Sequence, residues 1–233
     1  MRATTVELTH EEYRTAWHTL GLGTRHWNMD LPGLPELTEQ QRRTQMSGTL
    51  DGLRARGLAD HHGIAPELED ALRLLANPAR EINGWARTGA GQVRLLAGSR
   101  GDWAALAVLD EHRLLVQPAH GGRPGLTGEQ LENRLIRGGV TLADARSFAV
   151  MMRGPKPGGG RFGATRRDRD GIRHSGGIAL VYLATERGGY TVAPRRGPDG
   201  SAWTTLAPAT LAQLARRIGR LLSDISHQPS DQR

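Results

Sequence analysis

REINGWARTGAGQVRLLAGSRGDWAALAVLDEHRLLVQ, residues 80–117, holds four strand-like runs in succession, at 80–87, 92–97, 103–109 and 113–117. They are separated by Gly89-Ala90-Gly91, Gly98-Ser99-Arg100-Gly101 and Asp110-Glu111-His112. A parallel crossover needs a dozen or more residues, so connections this short make the neighbouring strands antiparallel. This meander decides the fold class, because the segments on either side of it have helical periodicity. The expectation is α+β.

Upstream, Thr9 and Glu12 form a capping box that satisfies free N–H groups at a helix start. Tyr13, Ala16, Trp17 and Leu20 follow at helical spacing on one apolar stripe, and Gly21 can take the left-handed conformation that ends the helix. Residues 21–37 contain Gly23, Pro32, Gly33 and Pro35 and read as an irregular crossing segment, pinned to the core by Trp27, Met29, Leu31 and Leu34. Thr38 and Gln41 cap a second helix to Arg56, and Gly57-Leu58 stops it. Pro66 opens a third, with Leu68, Ala71, Leu72 and Leu75 as its stripe and Asn77-Pro78 as its end.

Downstream, Thr127 and Gln130 cap a helix to Ile136, and Thr141 and Asp144 cap another to Met152. Residues 154–160 read as a loop by composition, 161–167 and 178–185 as strands, and 190–195 and 201–206 as a returning pair around the turn Gly197-Pro198-Asp199-Gly200. A last helix is expected from Pro208 to Ile225, with Leu211, Leu214, Ala215, Ile218, Leu221 and Leu222 on one face. In both halves a strand meander precedes a helix that carries Gln-Leu near its start, Gln130-Leu131 and Gln213-Leu214. This predicts a single domain over 1–225 built of two similar half-units, about 1–137 and 138–225, with 226–233 a flexible tail.

The 233 residues include no cysteine, which excludes disulfides, thiolate metal sites and Cys nucleophiles. No segment approaches the roughly 20 apolar residues of a membrane helix, so a cytoplasmic protein is expected. Net charge is +7, and Lys156 is the single lysine. Seven basic residues against two acidic ones crowd residues 153–173. Glycines and like charges there predict a mobile, solvent-facing segment, and the lack of aromatic platforms argues against a nucleic-acid site. The five tryptophans are expected to anchor packing, Trp17 and Trp85 in particular.

The polar residues converge on no chemistry. No His-Glu-x-x-His pair, no Gly-x-Ser-x-Gly elbow and no phosphate loop occurs, so catalytic residues, metal and cofactor are all expected to be absent. Helices at 38–56 and 66–76 followed by strands also fit a winged-helix DNA-binding regulator. Its reading helix would carry Glu67, Glu69 and Asp70 against Arg73, a charge balance that repels phosphates.

Val6-Glu7-Leu8-Thr9 before a Trp helix, Leu53-Arg54-Ala55-Arg56-Gly57-Leu58-Ala59-Asp60, and Leu68 to Ala76 with Pro78-Ala79-Arg80-Glu81 entering the sheet together resemble the EspG family. Arg161-Phe162-Gly163-Ala164 and the 190–205 meander before a C-terminal helix fit as well. These are ESX (type VII) secretion-associated proteins of actinobacteria. The resemblance implies a central antiparallel sheet flanked by helical bundles, with internal pseudo-two-fold symmetry. It implies a cytoplasmic chaperone, without enzymatic activity or cofactor, that binds the exposed tip of a helical secreted substrate of the PE/PPE type. A homodimer stays open. By analogy with the family, the contact candidates are the loop at 98–102, with Arg100 and Asp102, and the C-terminal helices.

Overall fold

The computed structural model describes residues 5–31, 37–88, 91–120, 158–168, 170–175, 180–185, 188–196 and 202–226. The expected helices at 127–136 and 141–152, the turn at 197–200, Leu34 and the tail beyond 226 lie outside the described residues. The elements are β1 (Val6–Thr9), α1 (His10–Thr19), a short 3-10 turn (Trp27–Met29), α2 (Glu39–Ala55), α3 (Pro66–Ala76), β2 (Arg80–Thr88), β3 (Gly91–Arg100), β4 (Trp103–Leu109) and β5 (Arg113–His120). They continue with β6 (Gly158–Arg167), β7 (Arg173–Ser175), β8 (Leu180–Thr185), β9 (Gly188–Arg196), β10 (Ala202–Pro208) and a final helix, α4 (Leu211–Ser226).

The helix starts follow their capping chemistry. Thr9 Oγ1 accepts from Glu12 N at 3.1 Å, and Glu12 Oε2 accepts from Thr9 N at 2.8 Å. Thr38 and Gln41 repeat the arrangement at α2. Gly57, at φ 69°, ends α2 with the double closure of a Schellman motif, Leu58 N to Leu53 O and Gly57 N to Arg54 O, both 2.9 Å. The last helix departs from expectation. Pro208 closes β10, and α4 begins at Leu211 behind its own capping box of Thr210 and Gln213. The cap outcompetes the proline because it satisfies two free N–H groups where proline only tolerates a helix start.

Among the described residues, ten strands form one antiparallel sheet in the order β1-β5-β4-β3-β2-β6-β8-β9-β10, with β7 paired to β6. β1 went unrecognised in the sequence. It pairs with β5 from Val6 opposite Val116 to Thr9 opposite Arg113. The sheet runs through the expected loop: Gly98 to Arg100 belong to β3, and Gly158 to Gly160 belong to β6. β6 is interior, paired with β2 on one side and β8 on the other. The expectation of a mobile, solvent-facing segment over 153–173 is therefore wrong for residues 158–167. Phe162 is fully buried within them, and ladder pairing on both sides outweighs the entropy cost of ordering glycine.

Each face of the sheet carries its own core. Leu96, Ala105, Ala107, Leu109, Leu114 and Val116 pack beneath α1 and α3 with Leu8, Tyr13, Trp17, Leu53, Leu68 and Leu72. On the opposite face, Ile82, Ala86, Val93, Leu95, Ala97, Phe162, Ala164, Leu180 and Tyr182 pack against Leu214 and Ile218 of α4. The two-residue period of a strand sends Leu96 to the first core and Leu95 and Ala97 to the second. This arrangement removes the winged-helix alternative. The apolar stripe of α3 is covered by β3, β4 and β5, and the strands after it are interior strands of a broad sheet, not a wing.

Candidate partner-binding surface

The β3–β4 hairpin places the candidate residues Arg100 and Asp102 at one end of the sheet. Arg100 pairs with Trp103 across a two-residue turn of Gly101 and Asp102. Gly101 has φ 59° and no non-glycine residue among those described has positive φ, the pattern of a type II′ turn with glycine at its first central position. Below the tip, Gly98 lets the strand pass under the α3–β2 junction: a Cβ there would lie 2.9 Å from Pro78 Cβ. Ala79 N donates to Ser99 O at 3.0 Å at the same crossing.

The two candidates have different roles. The guanidinium of Arg100 donates to Asn77 O at the C-terminal cap of α3, where an unpaired carbonyl and the helix dipole both favour a cation. Arg100 thus braces the hairpin against the helix. Asp102 is exposed at the tip. Beside it Trp103 is 54 % exposed, on the same face as Arg100.

Two further aromatic rings correct the sequence reading. Trp85 is 38 % exposed and Trp27 is 61 % exposed, where both were expected to anchor packing. The alternation along β2 explains Trp85. Ile82, Gly84 and Ala86 face the α4 core, which puts Trp85 on the other face with Glu81, Asn83 and Arg87. Its cross-strand partners are Arg94 of β3 and Arg161 of β6. Two-residue periodicity alone could have found this. In the 25–31 segment, Met29 and Leu31 are buried as expected, and the fully buried Asn28 supplies the anchor. Asn28 Nδ2 donates to Gly84 O at 2.7 Å and to Leu95 O at 2.6 Å.

A buried charge cluster clasps this segment to the sheet. Glu81 Oε1 lies 3.3 Å from His26 Nε2, accepts from Asn83 Nδ2 at 3.3 Å and takes an ion pair from Arg173 of β7. Burial pushes the Glu81 carboxyl up, but the hydrogen bond and charge of His26 and the guanidinium of Arg173 outweigh it and hold the group below the ordinary carboxylate range. The cluster ties residue 26, β2 and β7 together. Three donors thus converge on one oxygen, Glu81 Oε1. Among the described residues no group of three His, Asp or Glu could hold a metal ion.

Comparison with known proteins agrees with this architecture. The sequence model described as the EspG family matches residues 9–130 and 118–220. No curated protein matches the chain. Among solved structures, the chain is similar to the type VII secretion system chaperone EspG5 of Mycobacterium tuberculosis, determined in complex with a PE25–PPE41 dimer. The match covers 99 % of each chain at a TM-score of 0.71 and 12 % identity, a likeness of fold. With the family's sequence pattern running from α1 into α4, this chain belongs to the EspG family.

Proposed function

We propose that this protein is a chaperone of type VII (ESX) secretion. It binds a helical secreted substrate of the PE/PPE type in the cytoplasm and keeps it soluble and export-competent. The observation that carries the reading is the end-to-end likeness to EspG5, solved holding a PE25–PPE41 dimer. A helical hairpin with an apolar tip needs that tip covered before export. The β3–β4 tip offers a rigid place to do so: Arg100 fixes the turn, Asp102 presents a carboxylate, and Trp103 supplies apolar area. The net charge of +7 favours encounter with an acidic partner. The role is that of a binding protein, without catalysis, cofactor or nucleic acid.

The two half-units belong to the same proposal. Strands β5-β4-β3-β2 and β6-β8-β9-β10 are two meanders meeting at the antiparallel β2–β6 seam. An axis through that seam, normal to the sheet, would exchange them. In the sequence, Thr127 and Gln130 repeat the spacing of Thr210 and Gln213.

Co-expression with a PE/PPE-type dimer, followed by size exclusion with light scattering, tests the function. One stable soluble complex is expected, and its mass also reads whether two copies of this chain associate. Asp102→Arg with Trp103→Ala should weaken the complex by about tenfold or more, as loss of a central contact does, without lowering Tm. Elution of chaperone and substrate only as separate species would overturn the reading.

A further inference from the structure

An open cleft of about 480 Å³ lies between α1, α2 and the segment that joins them, its charged side chains set among apolar ones such as Leu31 and Met46. It is separate from the β3–β4 tip and independent of the partner reading. α1 turns Glu11, Arg14 and His18 toward it, on the side opposite its Ala16 core stripe; the crossing segment adds Arg25 and Asp30, and α2 adds Arg42. Three guanidiniums therefore meet two carboxylates in a space the size of a small-molecule site.

Two of the cations, Arg25 and Arg42, keep donors to spare. Arg25 Nε is buried and makes no hydrogen bond. It forms an ion pair with Asp30 Oδ1 at 3.5 Å, too long for a hydrogen bond, and that oxygen also accepts from Leu31 N at 3.0 Å. Glu11 Oε1 accepts from Thr49 Oγ1 at 3.0 Å. The exposed guanidinium of Arg42 has no hydrogen bond or ion pair among the described residues. Desolvation first, and the neighbouring charge of Arg25 second, push the Arg14 pKa down, against the smaller opposing pull of Asp30 and Glu11. A buried donor without an acceptor costs free energy, and two guanidiniums held close repel. An oxyanion between them removes both penalties.

We propose that this cavity binds a small phosphate monoester, its phosphoryl oxygens accepting from Arg25, Arg14 and Arg42 and its hydroxyl-bearing organic part donating to Glu11 and Asp30. Guanidinium forks match phosphate geometry and suit a dianion better than a point charge does. The two carboxylates explain why the ligand is an ester with hydroxyl groups: they would repel a bare polyanion, yet they accept from sugar-like hydroxyls. The volume exceeds what a lone phosphate ion fills.

Calorimetric and NMR titration of the full-length protein with ribose 5-phosphate, inorganic phosphate and ribose tests this. Saturable binding of ribose 5-phosphate is expected, about tenfold or more tighter than either of the others. Arg25→Gln should weaken it by about tenfold or more. Because Arg25 is partly buried, Arg42→Gln on the exposed side of α2 serves as the second variant. It should weaken binding and flatten its salt dependence while leaving the amide spectrum otherwise unchanged. Arg113→Gln, far from the cavity, should bind as the native protein does. Absence of saturable binding, equal affinity for ribose and ribose 5-phosphate, equal affinity for inorganic phosphate, or native affinity in Arg42→Gln would each overturn the proposal.

Discussion

At the scale of single residues, two tryptophans that look alike in the sequence have different consequences. Trp17 is 4 % exposed, meets Tyr13 edge-on at 5.5 Å, and its Nε1 donates to Gly23 O at 2.8 Å. Trp17→Ala should cost about 3–5 kcal/mol, the range for emptying a buried aromatic site. Trp85→Ala, on a half-open face, should cost about 1 kcal/mol or less. Urea midpoints of the two variants check the contrast, and equal losses would contradict it. Glu81 sets a second expectation. Its folded-state pKa lies below the ordinary value of 4.5, so its stabilising contribution is complete above that value and disappears as pH falls through the lowered one. Glu81→Gln should therefore be less stable near neutral pH and show a shallower loss of stability from roughly pH 6 to 3. An unchanged acid slope would show that the clasp contributes nothing to the acid transition.

At the scale of elements, glycine decides how closely the two central strands approach. Gly84 of β2 sits opposite Phe162 of β6, where a Cβ would lie 2.6 Å from Phe162 Cδ1 and 2.6 Å from Arg161 O. Gly160 answers from the other strand, with a Cβ 2.6 Å from Trp85 O. Gly84→Val should thus displace the fully buried Phe162 and destabilise by about 1–3 kcal/mol or more, as overpacking does. Near-ultraviolet circular dichroism and thermal melting would register it, and a native Tm would refute the account. The same glycines show why part of the fold was illegible. α1, α2, α3 and the 80–117 meander carry local signals, capping boxes and two-residue alternation, and these survive in the structure. Gly158 to Gly160 read as a loop because only the neighbouring strands β2 and β8 reveal that the bare backbone is needed. β1 is four residues long and finds its partner in β5 more than a hundred residues away, so nothing local marks it. Arg100 and Asp102 were named from the family resemblance and not from the residues themselves. Turn chemistry marked a break at 98–101, wider than the two-residue turn Gly101-Asp102 that the strands leave, and the reach of Arg100 to Asn77 depends on where α3 ends in space.

At the scale of the whole molecule, sheet order ranks the strands by protection. β2 and β6 have partners on both sides and a packed core on the α4 face, whereas β1 and β10 have one neighbour each among the described residues. Amide exchange should be slowest in β2, β3 and β6 and fastest in β1 and β10, as exposed ladder bonds open first. Mass-spectrometric exchange at the peptide level is enough to read this order, and slow exchange at β10 with fast exchange at β6 would contradict it.

β3 belongs to both cores at once, with Leu96 on one face and Leu95 and Ala97 on the other. Neither layer can therefore melt by itself. Loss of the α1–α3 layer would strip one side of a strand that the α4 layer still requires, so the molecule unfolds as one cooperative unit with a single calorimetric transition. Anything that tightens the helical layer raises the melting point of the opposite face as well, and β3 is the mechanical link through which two distant surfaces share their stability.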